Sequence, residues 1–381
     1  MIRRVCKWIV FKLLYPLCYN VGRIRKVRLN KILFVENHAE KLSDDFILLK
    51  ERLLQRDYRI SEHYLKVSTS GWGQVVCRSV RLIFDMATAK CVFLNESNSL
   101  FGAFTIRRDT KLVQLWHACG AFKKWGYSVA DKSFGDDREE LDRFPGHRNY
   151  DLVPVSGEDV CWAYEEAFGL KGKPGIVKPL GVSRTDIYFE KGKKQRAYSH
   201  LRELKLPLKE RKIILYAPTF RGDIRTAKSP DGLKLSQLYA LHEEYVVLIK
   251  QHPFVKEQMR VPEQYRDFCI EIGDELTIPE LLVVSDICVT DYSSIVFEYT
   301  LLNKPILFFA YDLEEYYDER GFYYPYEEFV PGSVVKTTEE LVLSIRQIAD
   351  FDRDKIDTFR KKYMSGCDGH ATERIIEYVL D

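Results

Sequence analysis

In the segment QLWHACGAFKKWGYS, residues 114–128, a histidine closes an apolar run that reads as a buried strand. His117 would stand at that strand's carboxyl end, followed by the small residues Ala118, Cys119 and Gly120. An imidazole so placed can take a proton from an attacking hydroxyl near neutral pH. The segment IKQHPF at 249–254 repeats the pattern, and His252, fixed by Pro253, can donate to a phosphate oxygen. In YAPTFRGD at 216–223, Thr219 and Arg221 follow a third apolar run, and Arg221 offers the planar cation that suits a diphosphate. In CVTDYSSIVFEYTLLNKP at 288–305, a strand passes through Asp291, Tyr292, Ser293 and Ser294 directly into an apolar helix. Ser293 or Ser294 is a natural N-cap, and such a helix start turns backbone N–H groups and a positive dipole end toward an anion. Glu298, one turn further, is placed to accept from ribose hydroxyls. Taken singly, each residue has an ordinary structural role as well: a bonded strand-end histidine, a loop histidine, a cap serving its own helix, a surface glutamate. Taken together, Thr219, Arg221, His252, Ser293 and Ser294 form a donor-rich set fit for a diphosphate.

The elements that would position these residues alternate along the chain. Short apolar runs at 31–36, 64–68, 91–96, 112–117 and 150–156 are separated by helical stretches, the pattern of an α/β unit with a mostly parallel sheet. After a Lys-rich stretch near 190–211 without strand signal, the pattern resumes at 213–220, 245–253, 287–294 and 305–312. Two Rossmann-like units follow, with limits expected at 30–200 and 201–381, and facing units of this kind gather the carboxyl ends of both sheets into one cleft. Thr337 and Glu340 stand at capping-box spacing before LVLSIRQIADF and predict a closing helix.

Composition narrows the function. With 58 Lys+Arg against 56 Asp+Glu, 46% hydrophobic and 13% aromatic residues over 381 positions, the chain is a folded globular protein, and its net charge of +2 makes duplex nucleic acid an unsuitable main partner. Nine scattered cysteines without a CxxC pair argue against a disulfide framework or a cysteine zinc site, and no His/Asp/Cys spacing suggests a metal. Neither GxxxxGK[ST] nor a GxGxxG after the first strand is present, which sets aside P-loop and dinucleotide chemistry. The first 29 residues break the charge balance with Arg3, Arg4, Lys7, Lys12, Arg23, Arg25, Lys26 and Arg28, and no acid precedes Glu36. Their apolar run is too short and too charged to span a bilayer. On a helix, Ile2, Val5, Ile9 and Leu13 share one face and the cations fill the other, the geometry of a helix lying on an anionic membrane surface; docking on the protein's own core is the alternative.

Seven strings occur in order: WH with its small-residue loop and FKKWG, GVSRTD at 181–186, APTFRG, KQHP, VTDYSS with Glu298 behind it, EFVPG at 328–332, and CDGHATERI at 367–375. Together they resemble the CDP-glycerol glycerophosphotransferase family of teichoic acid synthesis. The resemblance implies a GT-B fold without cofactor and transfer of glycerol phosphate from CDP-glycerol to a hydroxyl of a polyprenyl-diphosphate-linked glycan, with release of CMP. It implies His117 as catalytic base, His252 with Ser293 and Ser294 at the donor diphosphate, Arg221 assisting, and a peripheral protein on the cytoplasmic face of the membrane. Ala118-Cys119-Gly120 and Ser183 depart from the common pattern of Gly directly after the His and Pro in GVSRTD. Little chain precedes the first unit, which favours a primase; a polymerase, a CDP-ribitol enzyme of the same family, a nucleotide-sugar glycosyltransferase and a non-catalytic relative are the alternatives.

Overall fold

The computed structural model describes residues 2–132, 135, 137–222, 226–255 and 259–380. Two compact units divide the chain: Met1–Ala118, Trp125–Asp186 and Ser365–Asp381 form the first, Cys119–Lys124 and Ile187–Met364 the second. The units therefore follow chain order less closely than the expected 30–200 and 201–381 division. The closing helix Ala371–Leu380 belongs to the first unit because its apolar face, Ile375, Ile376 and Val379, completes that unit's core. The loop Cys119–Lys124 belongs to the second.

In the first unit, β1 (Arg28–Glu36), β2 (Arg59–Tyr64), β3 (Ala89–Leu94) and β4 (Lys111–Gln114) form an all-parallel sheet in the order β2-β1-β3-β4. A two-stranded parallel piece, β5 (Val153–Pro154) with β6 (Val177–Lys178), adjoins it through a Val113–Leu152 bridge. In the second unit, β7 (Lys212–Tyr216), β8 (Tyr245–Ile249), β9 (Cys269–Glu271), β10 (Ile287–Thr290), β11 (Ile306–Phe309) and β12 (Ser333–Val335) order as β12-β11-β10-β7-β8-β9, all parallel. That is the doubly wound Rossmann arrangement. The strand order reverses between β7 and β10 here and between β1 and β3 in the first unit, and ligands of open α/β sheets bind outside the carboxyl ends of strands at such reversals.

Three strand expectations need correction. The run at 64–68 is not a strand: its place is taken by the polar β2, RISEHY, an edge strand whose half-buried side chains hide its apolar signal. The run at 112–117 ends at Gln114, because Trp116 adopts a left-handed conformation (φ 60°) that turns the chain out of the sheet. Of 150–156, Val153–Pro154 pairs as a strand and Leu152 adds the single bridge to Val113. The capping box at Thr337 and Glu340 is present, with both reciprocal bonds, at the start of Thr338–Arg346.

The N-terminal segment is helical through α1 (Ile2–Ile9), a π-helical turn at Val10–Leu14 and α2 (Tyr15–Gly22). Val10, Tyr15, Cys18, Tyr19 and Gly22 are buried on the first unit, where Tyr19 stacks on Phe104 at 4.4 Å. Gly22 lies so close to the helix Trp72–Met86 and the Ala87 beyond it that an added Cβ would stand 2.8 Å from the Ala87 Cβ. The opposite side carries Val5, Ile9, Leu13, Leu17 and Val21, spaced four apart and each 45 to 62% exposed.

Candidate functional site

At the switch point of the first unit, Glu36 ends β1 and Asn95 directly follows β3. Glu36 is buried and accepts from the Ser43 N–H at 2.6 Å and the Asn95 Nδ2 at 3.3 Å; burial raises its carboxyl above the usual range against those bonds. The Asn95 Nδ2 also reaches the Ser43 hydroxyl (2.9 Å) and Asp45 (3.3 Å), and Arg184 donates to Asp45 at 2.7 Å. Carboxylates can only accept, so this network fixes the Asn95 amide and with it the backbone around Asn95.

That backbone orients His117. Its Nδ1 lies 3.1 Å from the Asn95 carbonyl oxygen. A carbonyl cannot donate, so Nδ1 carries the proton and Nε2 presents its lone pair, the form a general base requires. The exposed imidazole also stacks on Trp116 at 4.2 Å. The left-handed Trp116 backbone is held by its N–H bond to Gln114 Oε1 at 3.0 Å, and backbone strain of this kind is typical of functional loops.

The switch point of the second unit gathers Thr219 and Arg221, just beyond β7, with Asp291 to Ser294, just beyond β10. Buried Asp291 accepts from the Thr219 N–H and hydroxyl, both at 2.8 Å, from the Tyr292 N–H at 2.6 Å and from Arg221 Nη2 at 3.0 Å. Arg221 further donates to both oxygens of Asp312, through Nε and, at 3.0 Å, Nη2, and through Nη1 to the carbonyl and hydroxyl of Thr219. Five N–H groups thus meet protein acceptors. Burial opposes the charge, but Asp291 and Asp312 outweigh it and hold the guanidinium firmly protonated.

Ser294 occupies the N-cap position of Ile295–Thr300 in a helical conformation without a capping bond from its side chain; of the two expected caps it is Ser293 whose Oγ accepts from the Ile295 N–H, at 3.4 Å. Glu298 is buried rather than on the helix surface and accepts from the Tyr188 hydroxyl at 3.3 Å. His252 lies against the rings of Phe220 and Phe254, each at 4.8 Å. Its Nδ1 accepts from the Phe254 N–H at 3.2 Å, which puts the proton on Nε2. Burial first, then the charge of Lys123, lowers its pKa to about 4, so near neutral pH His252 is an uncharged N–H donor. The two histidines are therefore set in opposite tautomers, one as acceptor and one as donor.

Lys123 comes from the loop Cys119–Lys124, which the second unit holds tightly. Gly120 has φ 61° and an added Cβ would lie 2.1 Å from the Phe297 ring. Phe122 packs on Phe322, Tyr326 and Phe329, its carbonyl accepts from the Tyr323 N–H, and the Lys124 N–H donates to the Gly321 carbonyl. Structure brings Thr219, Arg221, Ser293 and Ser294 into one cluster, while His117 belongs to the other unit. Two of the seven strings bind each other: Asp186 of GVSRTD accepts from the Ala371 and Thr372 N–H groups of CDGHATERI, and the Ser183 hydroxyl meets that of Thr372 at 2.9 Å. Gly181 is required there, since a Cβ would stand 2.0 Å from the Gly366 carbonyl. Asn95, Asp291 and Lys123 were not singled out from sequence. Asn95 and Asp291 had the same signal as the others, a polar residue directly after an apolar run; Lys123 had none, since its position depends on the loop's tertiary packing.

A profile of the family described as CDP-glycerol:poly(glycerophosphate) glycerophosphotransferase matches residues 17–381. The chain is 35% identical over 370 residues to a teichoic acid poly(ribitol-phosphate) polymerase of Bacillus spizizenii, covering 96% of this chain but 59% of that protein. It is 34% identical to a teichoic acid ribitol-phosphate primase of the same organism, covering 93% and 91%. A teichoic acid glycerol-phosphate primase of Bacillus subtilis is 29% identical, covering 79% and 76%. Among solved structures, the wall teichoic acid polymerase TagF superposes with a TM-score of 0.78 at 22% identity, covering 99% of this chain and 95% of that one, and the fold is GT-B-like.

Proposed function

The chain belongs to the CDP-glycerol:poly(glycerophosphate) glycerophosphotransferase family, and from that premise we propose that it transfers a polyol phosphate from a CDP-activated donor to a hydroxyl of a polyprenyl-diphosphate-linked glycan. The observation that supports this best is the pair of switch points, one holding a base tautomer of His117 and the other a donor-rich cluster with neutral His252. In this reading the acceptor oxygen attacks the β-phosphorus in line as its proton passes to His117 Nε2. The bond to the CMP oxygen breaks and CMP leaves with the electron pair. His252 Nε2–H and the hydroxyls of Ser293 and Ser294 donate to the diphosphate oxygens, so fixed dipoles stabilise the developing charge. Thr219 and Arg221 take a positioning role through Asp291, because their donors are already bonded within the protein. Glu298 is retained as the acceptor for the ribose.

Ribitol is the donor polyol we favour, since the relatives named for ribitol phosphate match 96% and 93% of the chain against 79% for the glycerol-phosphate primase. The glycerol expectation is the second reading, favoured by the family description. A primase is the reading carried forward from the sequence, and a ribitol-phosphate primase is 34% identical over 93% of this chain; a polymerase, 35% identical over 96%, is the second reading. The exposed row Val5, Ile9, Leu13, Leu17 and Val21, flanked by Arg4, Arg23, Arg25 and Lys26, fits an anionic membrane surface, where a lipid-anchored acceptor resides. No helix among the described residues is long and apolar enough to cross a membrane.

The test is CMP release and product mass from CDP-ribitol and CDP-glycerol, each with and without a short-chain lipid-linked disaccharide. Acceptor-dependent CMP with one ribitol phosphate added supports the proposal; a ladder makes the protein a polymerase, turnover with CDP-glycerol alone reverses the choice of polyol, and no turnover with either donor refutes the reading.

A further inference from the structure

The donor reading leaves the net charge of a diphosphate without a cation, and Arg221, the residue whose type suggests one, is fully engaged. Its guanidinium is bound by two carboxylates and by Thr219, and it lies among the rings of Tyr292, Tyr311 and Tyr316 at 5.1 to 5.6 Å. Binding a phosphate there would mean breaking a buried ion pair, which leaves Asp291 uncompensated. Lys123 is the opposite case. It is half-buried, and among the described residues its Nζ reaches the Tyr316 hydroxyl, at 3.3 Å, and has no carboxylate within 4.0 Å. Tyr316 in turn stacks on Tyr292 at 3.9 Å, and Tyr292 immediately precedes Ser293. Lys123 is thereby linked through two aromatic rings to the residue next to Ser293. Its charge also acts on His252, the neutral donor.

Resting on the donor reading above, we propose that Lys123 is the cation that neutralises the donor diphosphate, with His252 as the uncharged donor beside it. Lys123 has no carboxylate partner among the described residues to give up, so an incoming diphosphate can pair with it without breaking an ion pair inside the protein. Two negative charges entering beside Lys123 would gain a charge-assisted bond that Arg221 cannot supply without losing one. The cation lies six residues beyond His117 on one continuous segment, so the loop that the sequence marks as WHACGAFKK carries a base at one end and a phosphate ligand at the other.

The experiment is calorimetric titration of the full chain and of Lys123→Met and Lys123→Arg with CDP-ribitol, CDP-glycerol, inorganic pyrophosphate and cytidine. One charge-assisted bond corresponds to a roughly tenfold to hundredfold weaker Kd for the CDP-polyols and pyrophosphate in Lys123→Met. Cytidine affinity and thermal midpoint should be unchanged, and Lys123→Arg should recover to within about threefold of wild type. Unchanged pyrophosphate and CDP-polyol affinity in Lys123→Met overturns the assignment. If the wild type binds pyrophosphate through Lys123 but neither CDP-polyol, the anion site stands and the donor reading falls. If it binds neither, both fall.

Discussion

Replacing Arg221 by Met separates a positioning role from a ligand role. The side chain of Arg221 is 17% exposed and that of Asp291 2%, so the substitution leaves a carboxylate out of water with its three uncharged donors but without its cation. Removing one partner of a buried pair costs about 3–5 kcal/mol. For a unit of 150–250 residues each kcal/mol lowers the melting midpoint by about 2–4 °C, which gives a fall of about 6–20 °C. Differential scanning calorimetry is the appropriate assay, because all five tryptophans (Trp8, Trp72, Trp116, Trp125 and Trp162) lie in the first unit and their fluorescence reports on the wrong part of the chain. Arg221→Lys keeps the charge, loses the fork onto Asp312 and should fall between the two. A midpoint within about 2 °C of wild type, with donor affinity lowered tenfold or more, would refute the reasoning: Arg221 would then be the phosphate cation and Asp291 would hold without it.

Acidification should destabilise both units as it passes below the pH at which a free imidazole takes up its proton. Burial lowers the pKa of His147, stacked on Phe168 at 4.0 Å, to about 3, and burial with Lys123 lowers that of His252 to about 4. The unfolded chain binds these protons from about pH 6.5 downward while the folded one does not, so stability is full above pH 6.5 and falls by up to about 1.4 kcal/mol per histidine for each pH unit towards those values. Urea midpoints at pH 7.5, 6 and 5 should decline in that order, and flat midpoints would contradict the burial of both rings. At the N-terminus, Leu13→Glu with Leu17→Glu should sharply reduce flotation with anionic vesicles while moving the midpoint little, since these side chains are 55% and 62% exposed. Equal flotation would remove the membrane-surface role from that face.

Much of the scaffold was legible because buried parallel strands read as continuous apolar runs: 31–36, 91–96, 213–220, 245–253, 287–294 and 305–312 each overlap an observed strand. The missed strands were β2, polar and at a sheet edge, and β9, β12 and β6, of two or three residues, too short for a periodicity to show. The candidate residues were legible by type and by position after a strand, but their partners were not. Nothing in the sequence says that the Arg221 fork closes on Asp312, 91 residues away, or that a carbonyl at Asn95 sets the tautomer of His117. Those are consequences of strand order, which brings residues distant in sequence to one reversal point. The return of Ile375, Ile376 and Val379 to the first core was hidden for the same reason.

The central claim is that the two units divide the work, base from His117 and donor binding from the second unit. Single-turnover CMP release by wild type and His117→Ala, with donor Kd measured on the same preparations, tests it most directly. The rate should fall by about 10² to 10⁴ with donor Kd unchanged within about twofold. A retained rate, or a donor Kd that weakens in step with the rate, would contradict it.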